Sequence, residues 1–188
     1  MGDDPNRLAP ALAGDLRRLG TGDLAALRRL EDSTASPAFW RLAARHAPLT
    51  AHPEAWAPIL RALAILTPKG PPEERSDLHD PKRSFGVALC DGGDPNWPGD
   101  GSPRPLVSER RLAQLMAARG PQRTTLMVRA VRALAARRDP RTGVNTGDLA
   151  WAFLNPANAG AIAGPYYRRL DAAQRRARVE PEDEIINA

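Results

Sequence analysis

The sequence predicts an all-α protein built as two small helical bundles joined by a loop rich in glycine and proline. The first observation is the apolar set: the chain is 42% hydrophobic and only 5% aromatic, and alanine and leucine, both strong helix formers, dominate. The second is an absence, since no run rich in Val, Ile, Thr and Tyr alternates with period two as a half-buried strand does. The third is the segment Asp91–Pro105, DGGDPNWPGDGSPRP, which holds too much glycine and proline to propagate a helix. The expected organisation is therefore an N-terminal bundle over residues 1–90, a linker loop over 91–105, a C-terminal bundle over 106–178 and a mobile tail over 179–188.

The expected helices have local signals. Thr21-Gly22-Asp23 supplies small polar residues ahead of Leu24, Leu27 and Leu30, which recur at helical intervals. The same TGDLA string returns at Thr146–Ala150, a helix-start signal used twice rather than a duplication. Ser36-Pro37 reads as N-cap and first helical residue before Phe39, Leu42 and Ala43. Pro53 opens a further helix with Trp56, Ile59, Leu60, Leu63 and Leu66 on one stripe; Pro58 either starts it or kinks it, because proline removes an amide donor and crowds the preceding turn.

Thr67–Arg83 reads as a polar loop and Ser84–Cys90 as a short helix behind a serine cap. Beyond the linker, Ser108 with Glu109 starts a helix whose apolar face is Leu112, Leu115 and Met116, and Gly120 ends it. The next helix carries Met127, Ala130, Val131 and Leu134. Leu149, Trp151, Phe153 and Leu154 form a compact apolar segment, and Pro165 precedes Tyr166-Tyr167-Arg168-Arg169-Leu170.

Charge adds a functional direction. Against 22 acidic residues stand 27 basic ones, for a net charge of +5. Lysine occurs only at Lys69 and Lys82, so nearly all positive charge sits on planar guanidinium groups suited to bidentate phosphate contacts. The stretch Ser108–Ala135 concentrates this character, placing apolar residues at helical spacing and arginines in the adjoining rows. That spacing gives one face for packing and another for a polyanion or simply for solvent, and an arginine-rich composition alone would produce the same bias.

Catalysis finds little support. His46, His52 and His79 stand in separate contexts without a carboxylate or cysteine at metal-ligand spacing, and read as surface or helix-end residues. No metal, cofactor or catalytic residue is expected. Cys90, the single cysteine, excludes an intrachain disulfide and reads as a small buried residue, with no signature supplying a partner base. Asp91, Asp94 and Asp100 do not make a calcium loop, since no Glu occupies the twelfth position from Asp91 or Asp94, and no Gly-Lys-Ser/Thr phosphate loop is present. Trp40, Trp56 and Trp151 lie in amphipathic patterns and are expected in packing, which leaves Trp97 in the linker as the candidate for an exposed contact or a loop anchor. No apolar run approaches a membrane span, and Met1–Asp4 carries acid rather than the basic start of a signal peptide, so a soluble cytoplasmic protein is expected.

The order of segments resembles a known family. A PAFWRLAARH block, a WAPILRALAIL helix, a FGVALC helix before a loop, SERRLAQLMAARG, an arginine-bearing VRAVRALA helix, GVNTGDLAWAFL and a terminal YYRRL are together similar to CasB, the small subunit of the type I-E CRISPR Cascade complex. The resemblance covers Thr21 to Leu170. One departure is Gly164-Pro165 ahead of the tyrosine pair, where the family runs as unbroken helix. The resemblance implies an all-helical, non-catalytic subunit present in two copies, working with guide RNA, target DNA and the other Cascade subunits, and holding the guide–target hybrid and displaced strand through basic residues. By matching motifs it implies Lys82, Arg83, Arg111 and Arg132 as DNA-facing positions. The residues themselves add Arg110, Arg129, Arg168 and Arg169, with Arg129 and Arg132 three apart on one helix face.

Two other classes fit the same residues. A free-standing regulator would lay one recognition helix, Gln122–Ala136, in a major groove and bind with strong sequence preference. A scaffold or adaptor would use the Leu and Trp stripes for partner helices and show no salt-sensitive DNA binding.

Overall fold

In the computed structural model, which describes residues 4–32, 35–99 and 102–186, the protein is all-α. Asp100 and Gly101 of the linker and the last two residues of the expected tail lie outside the described residues. The helices are α1 (Pro5–Arg18), α2 (Thr21–Arg28), α3 (Pro37–Ala43), α4 (Ala47–Ala51), α5 (Pro53–Leu66), α6 (Phe85–Asp91), α7 (Glu109–Ala117), α8 (Gly120–Arg137), α9 (Thr146–Leu154) and α10 (Gly160–Ile186). Among the described residues the extended backbone amounts to an isolated parallel bridge between His79 and Val144.

Local chemistry explains the starts. Ser36 Oγ accepts from the Phe39 amide and Ser84 Oγ from the Val87 amide, both at 3.3 Å, satisfying donors that an unfinished first turn leaves open. In both TGDLA strings Thr is the first helical residue, and the cap lies one residue earlier, at Gly20 and Asn145; Asn145 Oδ1 accepts from the Asp148 amide at 3.1 Å. Gly120 does not end α7. That helix stops at Ala117, and Gly120 opens α8 with a φ of +52°, a left-handed value that favours glycine.

Prolines inside helices prove compatible with them. Pro10, Pro58 and Pro165 each occupy the sixth residue of their helix, near the N-terminal end, and α5 runs unbroken from Pro53 while α10 runs unbroken through Gly164-Pro165. The backbone of the expected tail continues α10 to Ile186.

The linker breaks the helix as expected, yet the elements on its two sides pack together. The most extensive contact joins α6 to α10, followed by α1 with α9 and α5 with α8. A single apolar cluster runs from Leu8 to Leu170, and the expected bundles 1–90 and 106–178 share it. The α6–α10 crossing depends on Gly86, where a Cβ would collide with the Ile162 carbonyl oxygen. Next to it the fully buried Tyr166 donates its hydroxyl to the Val107 carbonyl at 2.6 Å. Leu106 and Val107 donate to Cys90 and Leu89 at 2.8 and 3.0 Å, closing the base of the linker against α6.

Candidate nucleic-acid interface

The arginines divide by what their guanidinium groups touch. One set is consumed by the fold. Arg28 donates to the Ala64 and Thr67 carbonyls at 2.9 and 2.8 Å, and Arg75 to Leu19 at 2.7 Å and Arg17 at 3.0 Å. Arg123 spans the ends of two helices, donating to Leu115 at 3.0 Å and Ala152 at 3.1 Å, and Arg138 reaches Leu66 at 2.6 Å. These carbonyls sit where helices stop and carry the negative end of the helix dipole, so a buried guanidinium is a fitting partner. Burial nevertheless disfavours the charged form, and it holds Arg28, Arg123 and Arg138 below the usual arginine range, with Arg75 adding to the effect at Arg28 and Arg119 at Arg123.

Two of the expected DNA-facing residues belong to this structural set. Arg83 Nη2 lies 2.6 Å from Asp91 Oδ1, and Arg169 Nε lies 3.0 Å from Asp91 Oδ2; the Asp91 side chain is 1% exposed. Arg169 also donates to the Pro95 and Trp97 carbonyls at 3.1 and 3.0 Å and stacks over the Trp97 ring at 5.6 Å. Asp91 ends α6, where a negative charge opposes the helix dipole, and the two guanidiniums reverse that penalty. Neither is free for phosphate in this arrangement.

The remaining expected residues face solvent. Lys82 is exposed in the turn before α6. Arg110 and Arg111 occupy the first turn of α7, Arg129 and Arg132 lie one turn apart on α8, and Arg168 is exposed on α10 beside the engaged Arg169. Among the described residues none of these side chains makes an ion pair. Glu109, the acid nearest to Arg110 and Arg111 in sequence, is engaged by the Tyr167 hydroxyl; burial, then the charge and hydrogen bond of Glu109, raise that phenol above its usual range. Arg111 and Arg129 line the same cleft of about 340 Å³ between α7 and α8, floored by Leu106, Leu115, Leu126 and Ala130.

The aromatic expectations change places. Trp56 is buried, but Trp40 and Trp151 are 39% and 37% exposed. Trp97 is half-buried against the core and donates Nε1 to the Arg104 carbonyl at 3.2 Å, so it anchors the linker. Amphipathic spacing marks the apolar stripe of a helix without fixing how far its edges are covered. His46 and His79 are likewise half-buried and engaged: His46 Nε2 lies 2.7 Å from Asp15 Oδ2, and His79 Nδ1 lies 2.9 Å from the Thr146 hydroxyl.

Cys90 is fully buried, and burial, then the charge of Asp91, pushes its thiol up to about 12 against the opposing influence of Arg169. A thiol held protonated is a poor nucleophile. Among the described residues no helix is long and apolar enough to cross a membrane.

Residues 23–176 match the family model of the CRISPR-associated protein Cse2. The chain belongs to the Cse2 family. No curated protein and no solved structure matches it. Cse2 is the CasB family of the type I-E Cascade, which the segment order resembles, and membership makes the chain a CRISPR Cascade subunit that associates with other Cascade subunits. The matched span takes in every candidate cation from Lys82 to Arg169 and runs from within α2 into α10. It leaves out α1, which packs on α9 and contributes Leu8, Leu12 and Leu16 to the shared core.

Proposed function

We propose that this Cse2 subunit has no catalytic role of its own and binds nucleic acid within the Cascade complex, stabilising the guide RNA–target DNA hybrid and the displaced strand. The observation that carries the reading is the exposure of Arg111, Arg129 and Arg132 with no ion pair among the described residues, in a chain that commits so many of its other arginines to its own carbonyls and to Asp91. Replacing a DNA duplex by an RNA–DNA hybrid is nearly balanced in free energy, so sequence-independent contacts to the backbones tip it. A few guanidiniums held at fixed spacing on packed helices supply such contacts without reading bases.

The same surface weighs against a free-standing regulator. Arg123, Met127, Val131 and Leu134 are buried, so α8 presents one exposed row on which Arg129 and Arg132 are the cations, and a regulator would have to read bases with that row alone. Trp40 and Trp151, solvent-facing in the isolated chain, fit contacts with neighbouring subunits or with a second copy of this one. The test is the target-DNA affinity of a reconstituted type I-E guide-RNA complex, assembled with and without this protein at several salt concentrations. Tighter binding with unchanged guide specificity is expected; failure to incorporate, or incorporation without effect on affinity, would sink the reading.

A further inference from the structure

The cleft between α7 and α8 offers more than cations. Beneath Arg111 and Arg129 it is floored by Leu106, Leu115, Leu126 and Ala130, and no acidic side chain is among the residues that line it. Leu106 and Leu126 are only half-buried. A phosphodiester backbone would neutralise the two guanidiniums and leave that apolar floor in water, whereas a segment with acids beside aliphatic side chains satisfies both. The chain holds one such segment. Residues 180–184, EPEDE, are its densest run of acid, and Ile185 and Ile186 follow. On α10, Val179, Glu182, Asp183 and Ile186 stand at i, i+3, i+4 and i+7 and so share one face. No basic residue stands three or four positions from Asp183, and Glu182 has only Arg178 at that spacing, a pairing that contributes little.

We propose that this face of α10 from a second copy of the chain docks in the α7–α8 cleft as a helix in a groove. Glu182 and Asp183 meet Arg111 and Arg129, and Val179 and Ile186 cover the leucine floor. The segment meets a second copy rather than its own cleft because of where α10 runs. The Tyr166 hydroxyl donates to Val107, a residue that lines the cleft, at 2.6 Å. Glu182 lies 16 residues further along the same helix, about 24 Å away at a rise of about 1.5 Å per residue. Among the described side chains the last buried one on α10 is Ala173, so the acids stand past the part of the helix that packs on its own body. Such a contact is heterologous, each copy giving its cleft to one neighbour and its helix to another, and association grows past the dimer or closes into a ring. The inference goes beyond the nucleic-acid reading by assigning the cleft a protein ligand, one that excludes phosphate from Arg111 and Arg129 while it is bound.

The experiment is sedimentation velocity of the full chain from about 5 to about 200 μM, at about 50 and about 500 mM salt, after nuclease treatment so that no bound polyanion bridges copies. Wild type is expected to gain mass with concentration at low salt and to lose it at high salt. Arg111→Glu/Arg129→Glu and Glu182→Arg/Asp183→Arg, each with the circular dichroism of wild type, are expected to weaken association at least about tenfold. An equimolar mixture of the two is expected to restore it, because the reversed helix then meets the reversed cleft. Val179→Ser/Ile186→Ser is expected to weaken association while keeping its salt dependence. A wild-type chain that stays monomeric throughout would overturn the proposal and leave the cleft to nucleic acid or to another subunit. Association left intact by either charge reversal, or a mixture that associates no better than its parts, would overturn it equally. The target-DNA affinity of the assembled complex is a separate measurement, so the docking contact and the nucleic-acid reading fail independently.

Discussion

Arg169 Nε donates to Asp91 Oδ2 at 3.0 Å, closing an ion pair across 78 residues of chain and tying α10 to the last residue of α6. Arg83 holds the other carboxylate oxygen at 2.6 Å, and the Asp91 backbone end is secured as Oδ1 also accepts from the Gly93 amide at 3.0 Å. Removing the shared anion leaves two guanidiniums facing each other in a largely buried site. Asp91→Ala is therefore expected to cost about 3–5 kcal/mol. In a chain of this length that lowers Tm by roughly 10 °C. Thermal unfolding followed by circular dichroism checks it; a Tm within a degree or two of wild type would show that the pair contributes nothing net.

The exposed arginines give the opposite pattern. Arg111→Ala, Arg129→Ala and Arg132→Ala are expected to leave Tm within the range of ordinary surface changes, about ±0.5 kcal/mol each. In the assembled complex they are expected to weaken target binding alike for all guide sequences, with a fall in salt slope of roughly 0.7–0.9 for each phosphate left unneutralised. Affinity measured against several matched guide–target pairs separates this from base readout, because a weakening confined to one sequence contradicts backbone contact.

Asp15 sets a pH dependence. Burial raises its pKa, but hydrogen bonds from His46 and Arg18 and the charge of Arg45 outweigh that, leaving the carboxyl below its ordinary value of 3.8. A folded-state pKa below the unfolded one means stabilisation that is fully present above about pH 4 and is lost as pH falls through the folded value. Asp15→Asn is expected to be less stable than wild type by about 1–2 kcal/mol at pH 7. The two curves of stability against pH should converge in acid. Urea midpoints at pH 7, 5, 4 and 3 read this, and a gap that stays constant to pH 3 would refute the assignment.

Cys90 offers a kinetic probe of the α6–α10 contact. With its thiol pushed up to about 12 and fully buried, native protein at pH 8 is expected to resist a disulfide reagent, and labelling is expected to proceed at the rate at which the structure opens. Full labelling of native protein within the mixing time would show that Cys90 is reached without opening. Asp91→Ala should speed labelling, since it loosens the same contact.

How far the sequence reached depends on the range of each interaction. Ser36, Ser84 and the stripe Trp56, Ile59, Leu60, Leu63 mark α3, α5 and α6 nearly to the residue, because capping and helical periodicity act within a few positions. No expectation covered α1, although Asp4-Pro5 with Leu8, Leu12 and Leu16 carries its signal: Asp4 Oδ1 accepts from the Asn6 amide at 2.9 Å and those leucines are buried. None covered α4 either, a five-residue turn with little periodicity to show. Among the candidate contacts, Lys82, Arg110, Arg111, Arg129, Arg132 and Arg168 are exposed, whereas Arg83 and Arg169 are held by Asp91.

What the amino-acid sequence determined by itself is the helical class, the break at Asp91–Pro105, the basic character of Ser108–Ala135 and the order of segments that carries the family. Each is written in short-range spacing or in composition. What only the tertiary structure decided is which guanidinium is spent and which is free. Arg168 and Arg169 are neighbours with the same chemistry, and nothing local separates them. Packing α10 across α6 at Gly86 brings one within 3.0 Å of a carboxylate buried 78 residues earlier and leaves the other facing water. The reason is physical: a helix commits its backbone through bonds four residues long, but a side-chain ion pair forms only where two distant surfaces meet.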